Sequence, residues 1–162
     1  MNCYEVLGVL PGVTSVVGSG GKTTLLSKLS QEVRGTVVLT TSTHILPFPN
    51  MPLLENPTLS EVKDALTTHR VICIGAFSGE KHKLGPSALC AQELASVADY
   101  VFVEADGSKR LPLKAHAPHE PVIPEGSRRT IQVVGLSGFG LPVNQTVHRS
   151  EIFCDRAGCS PD

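Results

Sequence analysis

The segment Gly18–Thr24, GSGGKTT, sets three glycines, a lysine and two threonines between the apolar run TSVVG and the helical pattern LLSKLSQEV. Strand, glycine-rich loop and helix in that order make a cradle for phosphate. Glycines let backbone N–H groups turn toward an anion, and the helix start adds the positive end of its dipole. On this pattern Gly18, Ser19, Gly20 and Gly21 supply loop amides, Lys22 reaches the β- and γ-phosphates, and Thr23, followed by Thr24, sets its hydroxyl on Mg²⁺. The full motif G-x-x-x-x-G-K-[ST] asks for glycine at position 16, which is Val16, so the loop has the shorter form G-x-x-G-K-T-T. A structural turn needs glycines but explains neither the lysine nor the two hydroxyls that open the helix. A lysine at the mouth of such a loop contributes little to the core, so Lys22→Ala is expected to leave the melting point of the protein alone within about a degree.

A second element is DYVFVEADG, an apolar run that ends in Glu104 and Asp106. A nucleotide-binding α/β protein needs an acid there, to hold Mg²⁺ or to orient the attacking group. The magnesium is expected between these acids and Thr23, and because acids at strand ends are seldom core, their amides are expected to leave the fold intact. The third element is LTTSTHI, Thr40–His44 among its residues. Ligands of open α/β sheets sit at the carboxyl ends of strands, so these hydroxyls could complete the metal shell or touch the terminal phosphate, with Thr43 and His44 the better candidates. The plain alternative is that threonine suits strands and that Ser and Thr suit turns. Lys109, Arg110 and Lys114 follow the acids directly. They either clamp a phosphorylated or anionic substrate or stand in a solvated loop. His116 and His119 flank a proline, which fits a structural role better than catalysis.

The elements that must position these residues are legible as alternating patterns. Runs at Thr14–Gly18, Thr36–Thr41, Arg70–Gly75, Asp99–Asp106 and Thr130–Leu136 are rich in Val and Ile at successive positions, as in strands covered on both faces. Helices are predicted from Lys22 to about Val33, from Leu59 to about Thr68 behind a Thr58-x-x-Glu61 capping box, and from Ser87 to about Val97. The alternation predicts a three-layer α/β, P-loop NTPase-like domain with a mainly parallel sheet. Two long proline-rich connections, HILPFPNMPLLENPT and GSKRLPLKAHAPHEPVIPEGSRR, are expected to be structureless, and such connections are usually functional or disordered.

Composition sets the outer limits. A chain of 162 residues with 41% hydrophobic content reads as one domain over residues 1–162, with enough apolar material for a core. With 14 basic and 15 acidic residues it carries no general electrostatic footprint for nucleic acid or an anionic membrane. No apolar run reaches the length of a membrane span and no charged segment precedes the first apolar stretch, so a cytoplasmic protein is expected. Cys3, Cys73, Cys90, Cys154 and Cys159 are odd in number and lack metal-ligand spacing, which indicates ordinary thiols.

VVGSGGKTTLL, TTSTHI and especially DYVFVEADGSKRLPLKAHAPHEPVIP resemble the YqeC family of selenium-dependent molybdenum hydroxylase accessory proteins, from about Thr14 to Phe153. The resemblance implies a P-loop protein that binds ATP or GTP with Mg²⁺. Its partners would be a molybdenum hydroxylase or its labile cofactor, with no nucleic acid or membrane. By position, the family's nucleotide loop falls on Gly18–Thr24, its threonine-rich strand end on Thr40–His44, and its acidic strand end on Glu104–Gly107. Lys22, Glu104 and Asp106 are then the catalytic candidates, with Thr23, Glu104 and Asp106 for the metal and Lys109 and Arg110 beside the nucleotide. The same loop form also looks like that of Mur-type ligases, so an ATP-dependent ligase is one alternative, and a non-catalytic, nucleotide-switched chaperone is another. Relatives look longer, and the final CDRAGCSPD suggests no closing strand or helix, so the natural domain is expected to extend past Asp162.

Overall fold

The computed structural model describes residues 1–78 and 83–162. Its strands are β1 (Gly12–Gly18), β2 (Val37–Thr41), β3 (Leu53–Glu55), β4 (Val71–Ser78), β5 (Lys83–Gly85), β6 (Tyr100–Glu104), β7 (Leu113–Lys114), β8 (Arg129–Val133) and β9 (Val147–His148). Its helices are α1 (Cys3–Val6), α2 (Lys22–Glu32), α3 (Leu59–Thr68), α4 (Ala91–Ala95), α5 (Val143–Thr146) and α6 (Ser150–Ala157). Among the described residues, seven strands form one sheet in the order β3-β4-β2-β6-β1-β8, all parallel, with β5 antiparallel on β4. This is the three-layer, mainly parallel α/β arrangement expected of a P-loop NTPase-like domain.

The central strands are buried on both faces because their side chains feed two cores. Val16, Leu39 and Phe102 point with Leu26 and Leu29 of α2 into one core, while Val38, Ile72, Val101 and Val103 pack with Val62 of α3 and Leu94 of α4 in the other. Leu26 is wholly buried, so truncating it to alanine costs about 2–5 kcal/mol. Helix α3 begins as its sequence dictates: the Thr58 hydroxyl accepts from Glu61 N–H at 3.3 Å, and the Glu61 carboxylate accepts from Thr58 N–H at 2.7 Å. The carbonyl end of α2 is closed from another strand, where the Arg70 guanidinium donates to Ser30 O at 2.8 Å and Val33 O at 3.1 Å.

Strand order fixes the geometry of the site. Strand β6 lies between β1 and β2, with Val16 opposite Glu104 on one side and Thr41 opposite Glu104 on the other. The strand before the glycine-rich loop, the acidic strand and the threonine-rich strand therefore end side by side.

Four expectations need correction. The proline-rich connection after β2 holds a strand, β3, because Leu53 and Leu54 pair with Cys73 and Ile74 at the sheet edge. The connection after Glu104 likewise holds β7, whose Leu113 and Lys114 pair in parallel with Val147 and His148. Helix α4 begins at Ala91 rather than Ser87, since the Ser87 hydroxyl accepts from Leu89 N–H at 3.3 Å and holds a turn there. Finally, the segment CDRAGCSPD does contain helix, as α6 runs through Ala157 and stops at Gly158 in the left-handed conformation (φ 64°).

Candidate functional site

The loop after β1 is shaped by glycine at three points. Gly18, Gly20 and Gly21 have φ of 92°, 79° and 133°, where other residues are strained. A Cβ on Gly18 would also lie 2.2 Å from Val133 O, and one on Gly20 would lie 2.5 Å from Gly135 Cα, so β8 and the segment after it press on the loop. Ser19 N–H donates to Val133 O at 2.9 Å, and its hydroxyl donates to Leu111 O. Helix α2 then starts on Gly21 with no side-chain cap, leaving its first amides without a side-chain acceptor.

Lys22 does not stand at the mouth of the loop, contrary to expectation. It is only 4% exposed, with its ammonium 2.6 Å from Gly18 O, 2.8 Å from Asp106 Oδ1 and 3.5 Å from Glu104 Oε1. The two acids are equally unlike ordinary strand-end acids, since both are buried and Asp106 is 0% exposed. Asp106 Oδ1 is ion-paired with the Lys22 ammonium at 2.8 Å, whereas Oδ2 accepts from Gly18 N–H at 2.8 Å and lies 2.7 Å from His116 Nε2 and 3.3 Å from Lys114 Nζ.

These contacts set the protonation of both acids. Burial pushes the Asp106 carboxyl up, but Lys22, the Gly18 amide and His116 together outweigh it and hold the group below the usual carboxylate range. Glu104 goes the other way: burial raises its pKa, and the nearby Lys22 charge offsets that only in part. Lys114 continues the network to Glu120 at 2.8 Å, and Glu120 pairs in turn with Arg149. Burial lowers the Lys114 pKa, and Asp106 offsets part of that. His148 is lowered by burial first and then by the charges of Lys114 and Lys109.

Nine of the sequence-predicted residues meet around one cavity of about 690 Å³: Gly20, Gly21, Lys22, Thr23, Thr24, His44, Glu104, Lys109 and Arg110. That volume lies in the range of small-molecule sites. Thr23 Oγ1 donates to Glu104 Oε2 at 3.5 Å on its wall. Gly18, Ser19, Thr43 and Asp106 do not line it: Gly18 and Ser19 point their amides at Asp106 and Val133, and Thr43 N–H donates to the Thr41 hydroxyl at 3.0 Å. Thr40, Thr41 and Ser42 instead line a separate cavity of about 670 Å³ beside Ala91 and Gln92 of α4. Among the described residues no group of three or more His, Cys, Asp or Glu side chains is placed to hold a metal, and no helix is long and apolar enough to cross a membrane.

Sequence reasoning missed Glu120, His148 and Arg149, which reach the site from a loop, from β9 and from the start of α6. No local signal marks them, because β7 pairing with β9 is what brings His148 beside Lys114.

The family model described as YqeC protein matches residues 14–151. The chain is 35% identical over 162 residues to the uncharacterized protein YqeC of Escherichia coli (strain K12), covering 94% of this chain and 63% of that relative. It therefore spans somewhat under two thirds of the length of the curated relative it matches. No solved structure gives a significant match. With glycine-rich loop, acidic strand end and basic loop all inside the matched region, the chain belongs to the YqeC family.

Proposed function

We propose that the chain binds ATP or GTP with Mg²⁺ at Gly18–Thr24 and hydrolyses it in maturing a selenium-dependent molybdenum hydroxylase or its cofactor. The observation that carries the nucleotide reading is the adjacency of two parallel strand ends: the glycine loop with its uncapped helix start beside Glu104 and Asp106. The maturation context rests on membership of the YqeC family.

Thr23 and Glu104 fit a magnesium ion. Both offer hard oxygens on the cavity wall, and magnesium typically takes one or two protein oxygens and completes its shell with water and phosphate. Bound there, the ion would neutralise charge on the phosphoryl oxygens. Asp106 does not fit as a ligand, because its oxygens face Lys22, Gly18, His116 and Lys114 and it is walled off from the cavity. It suits a different task, holding the Gly18 amide and the resting position of Lys22.

A polyphosphate on the loop amides competes with the acids for the Lys22 ammonium, which turns toward the phosphates and stabilises charge developing in the transition state. Asp106 keeps Lys114 and His116, so its charge stays compensated when Lys22 moves. Calorimetric titration with ATP and GTP, each with and without Mg²⁺, tests the reading. Magnesium-dependent binding of one of them supports it, and no binding of either at millimolar concentration contradicts it.

A further inference from the structure

Two sets of charges besides Lys83 lie in and behind the cavity wall. In one, Lys22, Lys114 and Arg149 are cross-paired with Glu104, Asp106 and Glu120, of which Lys22, Glu104 and Glu120 line the cavity. That set is balanced. Lys109 and Arg110, at the rim, are exposed, line the same cavity, and have no ion-pair partner among the described residues. His44 and His148 also line it.

The rim pair is also held at a conformational cost. Lys109 and Arg110 are consecutive non-glycine residues with φ of 48° and 63°, a left-handed conformation that side chains disfavour. The surroundings enforce it. Leu111 N–H donates to Ser108 O at 3.0 Å, Leu111 O accepts the Ser19 hydroxyl, and the Lys114 ammonium donates to Gly107 O at 2.5 Å. Strain that the neighbours over-determine is characteristic of ligand-binding segments. Here the anchors run to the glycine-rich loop, through Ser19, and to the buried network, through Lys114, so the backbone that carries the two cations is held against that loop.

From this juxtaposition we infer that Lys109 and Arg110 bind a second, anionic substrate, a small molecule bearing a phosphate or carboxylate, facing the nucleotide across the cavity. The inference rests on the nucleotide reading above. The nucleotide's own charge is met by the loop amides, Lys22 and the metal, whereas an adjacent guanidinium and ammonium suit the bidentate and point-charge recognition of one further oxyanion.

The test uses the full chain saturated with Mg²⁺ and a non-hydrolysable analogue of whichever nucleotide binds. Inorganic phosphate is titrated by calorimetry in one arm and malonate in the other, which separates the two oxyanion classes. A Lys109→Asn/Arg110→Asn variant removes the charges, and asparagine tolerates the left-handed backbone. One anion should bind the loaded wild type, and the variant should weaken it about tenfold or more while changing analogue affinity by less than about twofold. Three results overturn the inference: neither anion binds, anion affinity is unchanged in the variant, or analogue affinity falls in step with it. If the analogue itself does not bind, the nucleotide reading fails by itself. The same titrations on unloaded protein then decide the rim site, which stands only if the variant loses the anion.

Discussion

Lys22 Nζ lies 2.8 Å from Asp106 Oδ1 with both side chains almost wholly buried, so the lysine of the glycine-rich loop is tied into the charge network beneath its own loop. If the proposed nucleotide reading holds, phosphate binding and fold stability share one residue.

Removing that lysine leaves Glu104 and Asp106 short of a partner, although Lys114 and His116 remain on Asp106. Breaking a buried pair typically costs about 3–5 kcal/mol, and the remaining partners put Lys22→Ala near the low end, about 2–4 kcal/mol. Thermal melting should fall by roughly 4–16 °C for a domain of this size. The Lys22→Ala/Asp106→Asn double variant should recover part of the loss, because it no longer buries an unpaired charge. A single variant that melts like wild type would show the ion pair to be energetically idle.

The two acids should respond oppositely to amide substitution. Glu104 carries its charge against a burial penalty, so Glu104→Gln is expected to keep the melting point within about 2 °C, yet to lower Mg²⁺-dependent nucleotide turnover about 100-fold. Asp106→Asn brings an amide NH₂ toward Lys22, Lys114 and the Gly18 N–H, and should destabilise the fold first. Equal melting of the two variants would erase the distinction between a wall acid and a buried one.

The sheet has its own acid clamp. Asp99 accepts from Thr36 N–H at 2.7 Å and from the Thr36 hydroxyl at 2.9 Å, and these bonds hold its pKa below the ordinary value. A depressed folded pKa gives stability that is present above the unfolded value and lost as pH falls through the folded one. Asp99→Ala should thus melt below wild type at neutral pH, with the gap closing as pH drops below about 3.9. A gap that stays constant down to acid would mean the carboxylate is not the source.

His148 offers a titration that reports on the cavity. Burial, Lys114 and Lys109 lower its folded pKa, so the fold loses stability as pH falls from the unfolded value, about 6.5, toward the folded one. A polyphosphate in the cavity reverses that field and favours the imidazolium. Nucleotide binding near pH 6 should therefore take up protons, seen as a binding enthalpy that varies with the ionisation enthalpy of the buffer. His148→Gln should remove most of the uptake; unchanged uptake would place the proton elsewhere.

The sheet was legible in the sequence because VVLTT and YVFVE are buried on both faces and are apolar at successive positions up to their polar ends. Strand β3 was not, since its three residues are at most half-buried and sit among prolines that mask so short a run. The glycine-shaped loop that opens α2 was readable from residue type alone. The burial of Lys22 was not, because it follows from the register that sets Val16 opposite Glu104 and carries Asp106 beneath Gly18. Glu120, His148 and Arg149 were beyond reach for a related reason: their approach depends on the two-residue pairing of β7 with β9, which leaves no periodic signature.

The measurement closest to the central claim is the melting temperature of the wild-type chain with ATP or GTP, each with Mg²⁺ or with a chelator. A ligand at about one hundred times its dissociation constant stabilises by about 2.7 kcal/mol, or roughly 5–11 °C for a domain of this size. One of the two nucleotides should give a shift of that order with Mg²⁺ and a much smaller one with the chelator. No shift from either nucleotide at millimolar concentration would contradict the claim that Gly18–Thr24 is a nucleotide site.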